Sequence, residues 1–289
     1  MLSNYHKKVG ILMNLYDETN MLLNQYGLRA NKKLGQNFLI NQQIIDEIIE
    51  KSQITKEDTV LEIGPGLGSL TKALMQKAKR VIAVELDENM VNILKNRFNN
   101  ENLEIINEDI LKIDLNEITN KYGKIKVVAN LPYYITTPIV MKLLEEEYSI
   151  ESITVMVQKE VGERLCAEPG SKDFGAVTVG VNYYSKSKII IDVPKDNFMP
   201  VPEVDSCVIK LDILSEPPID VKDKKRFFRL VKAAFSQRRK TINNSLASGE
   251  FSKESVLNAL NKLGIDAKLR AENLSIQDFA NITNELIGG

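Results

Sequence analysis

Cysteine and histidine are nearly missing from this 289-residue chain, and their scarcity excludes several chemistries at once. Cys166 and Cys207 lie far apart, with neither Cys-x-x-Cys spacing nor a histidine partner. Neither a disulfide framework nor a structural zinc site is expected, and a reducing cytoplasm is the natural compartment. The one histidine, His6, reads as a solvated residue of the N-terminal stretch. Histidine-based acid–base catalysis is thereby excluded, and most hydrolase mechanisms with it. No apolar run approaches the roughly 20 residues that span a bilayer. Lys7 and Lys8 precede an apolar patch from Val9 to Leu15, but Asn14 interrupts it and Asp17 and Glu18 follow. With no small-residue cleavage site, the stretch reads as a helical or loose extension, not a signal peptide. Internal repeats and low-complexity tracts are also lacking.

Net charge is nearly absent too: 38 Lys and Arg stand against 39 Asp and Glu, giving −1. The balance hides a local excess. Between Val221 and Lys240 nine Lys and Arg face only Asp223, the footprint expected for contact with phosphates.

What is present, from Thr59 onward, is an alternation of short β-rich runs with helical stretches. Thr59–Ile63, Arg80–Leu86, Leu103–Asn107, Ile125–Asn130 and Ile153–Gln158 have little polar alternation, as buried parallel strands do. Ser69–Lys79, Asn89–Phe98 and Thr137–Glu147 lie between them with apolar residues at helical spacing. Strand and helix repeated this way predict an α/β, doubly wound, Rossmann-like sheet. Lys188–Val193 and Ser206–Ile213 add two late strands with an antiparallel edge. Ser215-Glu216-Pro217-Pro218 marks a linker, and Asp223–Ser248, Ser252–Leu263 and Ile276–Leu286 predict a small all-helical C-terminal domain. The expected divisions are an extension over 1–30, a sheet domain over 31–214 and a helical domain over 217–289.

Val60-Leu61-Glu62-Ile63-Gly64-Pro65-Gly66-Leu67-Gly68-Ser69-Leu70 reads as a strand, a glycine turn and a helix. Glycines at Gly64 and Gly66 let a ligand approach the backbone closely. A dinucleotide site wants glycines at positions 1, 3 and 6 of such a turn. Here they fall at 1, 3 and 5, and Glu62 puts a carboxylate where a pyrophosphate would be repelled. A nucleoside bearing a cationic amino acid and a sulfonium, S-adenosylmethionine, suits the loop better than NAD. Glu85 closes the second strand, where a carboxylate can accept both ribose hydroxyl hydrogens, though a solvated strand-end acid would look the same. Asp109 ends the third strand and can accept from the cofactor's adenine amino group; its neighbour Glu108 reads as exposed.

Asn130-Leu131-Pro132-Tyr133 ends the fourth strand. An adenine amino nitrogen is a poor nucleophile because its lone pair is delocalised. The Asn130 side-chain oxygen and the Leu131 main-chain oxygen can accept its two hydrogens and align it with a methyl donor. Pro132 restricts Leu131 to an extended backbone, and Tyr133 can stack on the base. The competing reading is an ordinary strand-ending turn with a core tyrosine. Phe198, in the proline-stiffened loop Phe198 to Ser206, either covers the other face of the base or is a hydrophobic plug. No metal and no nucleophilic side chain are needed, since water can take the displaced proton.

Together these stretches resemble the ribosomal RNA adenine N6-dimethyltransferases, specifically the small-subunit type. The resemblance rests on Lys33-Leu34-Gly35-Gln36-Asn37-Phe38-Leu39, the Glu62–Gly68 loop, Asn130-Leu131-Pro132-Tyr133-Tyr134-Ile135-Thr136-Thr137-Pro138, Ala234-Phe235-Ser236-Gln237-Arg238-Arg239-Lys240-Thr241 and Arg270-Ala271-Glu272-Asn273-Leu274-Ser275. It covers Asn31 to the C-terminus. It implies transfer of methyl groups from S-adenosylmethionine to two adjacent adenosines near the 3′ end of 16S rRNA, within an immature small ribosomal subunit. By matching position it also implies that Asn37 and Leu39 line the cofactor pocket, completed by Gly64, Glu85, Asp109 and Asn130. A cytoplasmic monomer acting without membrane or metal is the expected state.

On a predicted helix from Lys224 to Leu246, Arg226, Arg229 and Lys232 share a face, with Phe227 and Leu230 turned inward. Arg238, Arg239 and Lys240 present phosphate-binding charge at one end, and recognition by RNA shape and base extrusion is expected. Three other readings compete: the large-subunit resistance methyltransferases, DNA adenine-N6 methylation, and an RNA-binding assembly factor without catalysis. The resistance enzymes share the Gln-Asn-Phe-Leu stretch but commonly have an Asn-Ile-Pro-like tetrapeptide.

Overall fold

The computed structural model describes residues 13–31, 34–237, 239–247 and 251–288. His6, Lys33 and Arg238 therefore lie outside the described residues. Of the two readings of the N-terminal stretch, the described part is helical. Asn14 Oδ1 accepts from Asp17 N at 2.9 Å and starts α1 (Leu15–Gln25), as a short polar N-cap does. Leu22 and Leu23 of α1 share a small core with Phe38, Leu67, Met90 and Ile93, and Glu18 pairs with the mostly buried Arg97.

The chain then runs β1 (Phe38–Leu39), α2 (Gln42–Lys51), β2 (Thr59–Ile63), α3 (Ser69–Lys77), β3 (Arg80–Glu85), α4 (Glu88–Arg97), β4 (Leu103–Asn107), α5 (Leu115–Tyr122), β5 (Ile125–Asn130), α6 (Thr136–Glu145) and β6 (Ile150–Gln158). After it come α7 (Lys159–Leu165), α8 (Ala176–Tyr184), β7 (Ser185–Val193), β8 (Phe198–Met199) and β9 (Ser206–Ile213). Seven strands form one sheet in the order β4-β3-β2-β5-β6-β9-β7. The first five are mutually parallel, and β9 runs antiparallel to both β6 and β7.

Side chains on a strand alternate between faces, and here both faces are covered. Leu61, Ile63 and Val127 pack with Leu115, Ile118, Ile139 and Leu143 from α5 and α6. Val60, Val81 and Val128 pack the other way, against Ile45, Ile48, Leu70 and Leu74 from α2 and α3. That double burial is why the strands read as unbroken apolar runs. Strand order reverses between β2 and β5, and in such sheets ligands bind outside the carboxyl ends at that point.

The tail comprises α9 (Lys224–Ala234), α10 (Ile242–Leu246), α11 (Lys253–Lys262) and α12 (Ile276–Gly288). Its core joins Phe227, Leu230, Ile242, Val256 and Phe279 to Phe174, Val179 and Tyr183 from the α8 region. The Tyr183 and Phe227 rings are 5.6 Å apart, so the tail is seated on the sheet domain through a shared core. The single helix expected over Asp223–Ser248 is instead two. Ser236 Oγ donates to the Ala233 carbonyl at 2.7 Å, capping α9, while Phe235 packs between Phe174 and Phe279. Arg239 and Lys240 consequently stand on a turn, not on a helix face. Cys166 and Cys207 are both free thiols; burial pushes them up to about 11 and about 12, which leaves them unreactive.

Candidate active site

A cavity opens at the carboxyl ends of β2, β3 and β5, floored by the glycine turn after β2. Gly64, Gly66 and Gly68 all have positive φ, at 65°, 56° and 84°. At Gly68, which caps α3, a Cβ would lie 2.5 Å from Phe98 Cε2, so only glycine fits both the backbone and the space. A Cβ on Gly66 would stand 3.2 Å from Phe38 Cε1. The turn thus brings its backbone close to the β1 segment and keeps the intervening space free of side chains.

Glu85 is buried where β3 ends. Its Oε2 accepts from Gly66 N at 3.0 Å and its Oε1 from Asp87 N at 2.9 Å. Burial is the largest influence on this carboxyl and raises it above the ordinary range, Asp87's charge adds to the rise, and the backbone donors hold it back. The two anchoring bonds fix the carboxylate across the glycine turn. Asp109 is half-buried after β4, with Oδ1 accepting from Leu111 N at 3.0 Å. Both acids line the cavity, as do Glu62 and Glu108.

Asn130 ends β5, and its Nδ2 donates to the main-chain oxygen of Asn37 at 3.0 Å. A carbonyl can only accept, so that bond fixes which end of the amide faces Asn37 and leaves Oδ1 as the available acceptor. Leu131 N donates to Met156 O at 3.1 Å, extending the β5–β6 ladder by one residue and fixing the backbone ahead of Pro132. The Tyr133 hydroxyl pairs with Ser206 Oγ at 2.8 Å, which holds its half-buried ring in place. Burial raises the Tyr133 phenol, so it stays protonated and is no base at neutral pH. Asn130, Leu131, Pro132 and Tyr133 all line the cavity with Asn37 and Leu39.

Phe198 does not join them. It is 1% exposed, does not line the cavity, and pairs backbone-to-backbone with Leu39 across β1 and β8. No face of the ring is open to a base, so of its two expected roles it has that of the hydrophobic plug. The reason is tertiary: Phe198 fills the apolar space between β1 and the α2 side of the sheet.

Two features escaped the sequence. Asn37 orients Asn130 across 93 residues of chain, which no local pattern reveals. Glu62 is 1% exposed with Oε2 lacking a hydrogen-bond partner, and burial drives its carboxyl up to about 8. The neighbouring Thr71 offsets part of that rise and the charge of Glu85 adds to it, while Thr71 Oγ1 has no hydrogen-bond partner of its own. The sequence had marked Glu62 only as hostile to pyrophosphate.

Among the described lining residues there are four acids and no lysine or arginine. The donor set suits a cationic nucleoside, and the glycine cradle leaves room for it. No helix among the described residues is long and apolar enough to cross a membrane, and no group of three or more metal-ligating side chains is found among them.

The basic tail presents the opposite sign. Arg229, Lys232, Arg239 and Lys240 are exposed. Arg226 is less available, since it lies 3.8 Å from Asp223, the cap of α9, and Lys224 is paired with Glu147. Phe227 and Leu230 are buried inward as expected.

The family model described as ribosomal RNA adenine dimethylase matches residues 27–287. The chain is 49% identical over 267 residues to the ribosomal RNA small subunit methyltransferase A of Clostridium botulinum (strain Kyoto / Type A2), covering 92% of this chain and 97% of that protein. It is 48% identical over 276 residues to the protein of that name from Staphylococcus aureus (strain JH9), covering 92% and 93%. A solved dimethyladenosine transferase from Plasmodium falciparum superposes with a TM-score of 0.71 at 27% identity, covering 84% of this chain and 94% of that one. The 23S rRNA methyltransferase ErmE superposes with a TM-score of 0.66 at 25% identity, covering 87% and 100%. With the family match over most of its length and with its Asn130 amide held by Asn37, the chain belongs to the ribosomal RNA adenine dimethylase family.

Proposed function

We propose that this protein uses S-adenosylmethionine to dimethylate the N6 amino groups of two adjacent adenosines near the 3′ end of 16S rRNA, within the immature small ribosomal subunit. The observation that carries the site chemistry is the Asn130 amide: its nitrogen is committed to Asn37, so its oxygen is the end left to accept an N–H. The Leu131 carbonyl, on backbone tied to Met156, accepts the second hydrogen. Two acceptors on one amino group fix its plane and direct its lone pair, which is positioning catalysis. Tyr133, clamped by Ser206, offers a ring on which the base stacks.

Glu85 would hold the ribose hydroxyls and Asp109 the adenine amino group, with Gly64 and Gly66 giving the nucleoside access to the backbone and Asn37 and Leu39 forming the opposite wall. The cofactor supplies an electrophilic methyl group on a positively charged sulfur. With Tyr133 kept protonated, and with no histidine elsewhere in the described fold, the proton released from the amino group passes to water. Arg229, Arg239 and Lys240 contact RNA phosphates, with Arg226 in support and Arg238 carried over from the sequence pattern.

The test is transfer of labelled methyl from S-adenosylmethionine to small subunits lacking the modification, mapped to the nucleotide. Incorporation at two neighbouring adenosines near the 3′ end is expected. Label found in large-subunit RNA or in duplex DNA instead would replace this reading, and binding of the subunit without any transfer would leave only an assembly role.

A further inference from the structure

Glu62 is a buried carboxyl group with no described cation beside it, and only Thr71 favours its charged form. It is fully enclosed between β2 and α3, its Oε2 has no hydrogen-bond partner, and it lines a cavity whose other titratable residues are Glu85, Glu108, Asp109 and the two tyrosines Tyr133 and Tyr134. No lysine or arginine among the described lining residues faces it. From β3, Glu85 confronts it with a like charge, and from α3 it meets only the neutral Thr71. A buried acid with a repelling neighbour and no counter-charge retains its proton. A cation entering the cavity reverses both conditions.

We infer that Glu62 is a proton-linked selector of the cationic cofactor: protonated in the empty site, it ionises when a positively charged nucleoside binds, and its proton leaves to solvent. The inference rests on the cofactor reading above. No covalent bond changes in the ligand; the O–H bond of the carboxyl is broken and the carboxylate becomes the counter-ion of the bound cation. S-adenosylmethionine carries two cations, the sulfonium and the α-ammonium, whereas its demethylated product S-adenosylhomocysteine carries only the ammonium. Which of them Glu62 answers decides whether the enzyme tells cofactor from spent product by charge.

Isothermal calorimetry of the full chain at pH 6.5, in buffers of different ionisation enthalpy, measures protons released per ligand bound. At that pH a free α-amino group, with a pKa of about 7.8, is already protonated and contributes little. Release approaching one proton with S-adenosylmethionine is expected. Equal release with S-adenosylhomocysteine assigns the ammonium as the partner, and release with S-adenosylmethionine alone assigns the sulfonium. In E62Q the buffer dependence should vanish. A second readout needs no variant: the infrared band of a protonated carboxylic acid should disappear from the wild-type protein on adding ligand. Binding with the same heat in every buffer and no loss of that band overturns the inference while leaving the cofactor reading intact. Proton release that persists undiminished in E62Q overturns it too. Absence of binding by either ligand defeats the cofactor reading itself.

Discussion

The cavity at the strand ends and the helical tail are opposites in charge, and the near-zero net charge of the chain is the sum of the two. The cavity is lined by Glu62, Glu85, Glu108 and Asp109 without a described lysine or arginine, while α9 and the turn after it carry the basic excess. On the proposed reading each region meets a ligand of the other sign: a cationic cofactor inside, a polyanion outside. The two also differ in how they are made. Glu85, Asp109 and Asn130 are fixed by hydrogen bonds at or just beyond strand ends, whereas the tail displays long, solvated side chains. Positioning chemistry needs the first, and phosphate binding, being largely electrostatic, tolerates the second.

The sharpest way to break this division is Asn130→Ala. It should reduce methyl transfer by about 10²–10³-fold, the scale of removing one positioned hydrogen-bonding group beside a reacting atom. Subunit binding, followed by filtration or sedimentation, should be nearly unchanged; a parallel fall in binding would show that the regions do not divide the labour. Next in size is Gly68→Ala, where a Cβ meets Phe98 and the backbone is left-handed. A destabilisation of about 2 kcal/mol in urea unfolding is expected, with weakened cofactor binding and no change in the salt dependence of RNA binding.

The tail is tested by replacing Arg239 and Lys240 with Ala. Binding should weaken similarly for different RNA sequences, and the slope of log affinity against log salt should fall by about 1 for each phosphate that is no longer neutralised. An unchanged slope would remove these two residues from the interface. The smallest effect expected is on stability against pH. Because Glu62 is raised from 4.5 to about 8 in the folded protein, its contribution is fully present below about pH 4.5 and is lost as pH rises through about 8. The ligand-free protein should therefore unfold more readily toward pH 8, and E62Q should reduce that slope. Glu85, also raised by burial, leaves a remainder of the same sign.

Much of the sheet was legible because its signals are local. The runs over 59–63, 103–107, 125–130 and 206–213 coincide with β2, β4, β5 and β9. Buried parallel strands carry uninterrupted apolar residues, and the helices between them keep a helical period. The short helices α7 and α8 and the two-residue strands β1 and β8 gave no such signal. The seven residues of α7 are too few to establish a period, the alternating Val177, Val179 and Val181 of α8 imitate a strand, and β1 and β8 are defined only by a partner about 160 residues away. The break between α9 and α10 was hidden because Ser236 and Phe235 end the helix through interactions that a propensity count does not include.

The sequence alone determined the order of chemistry along the chain: a glycine turn after one strand, acids after the next two, and an Asn-Leu-Pro-Tyr after the fourth. Those are features of neighbouring residues, where steric and conformational preferences act over a few bonds. Tertiary structure decided which groups meet. It turned the Asn130 amide by means of Asn37, enclosed Phe198, and isolated Glu62 from water and from any described cation. Each outcome depends on distance and burial between segments far apart in the chain, and the solvation of a carboxyl group has no existence until the fold surrounds it.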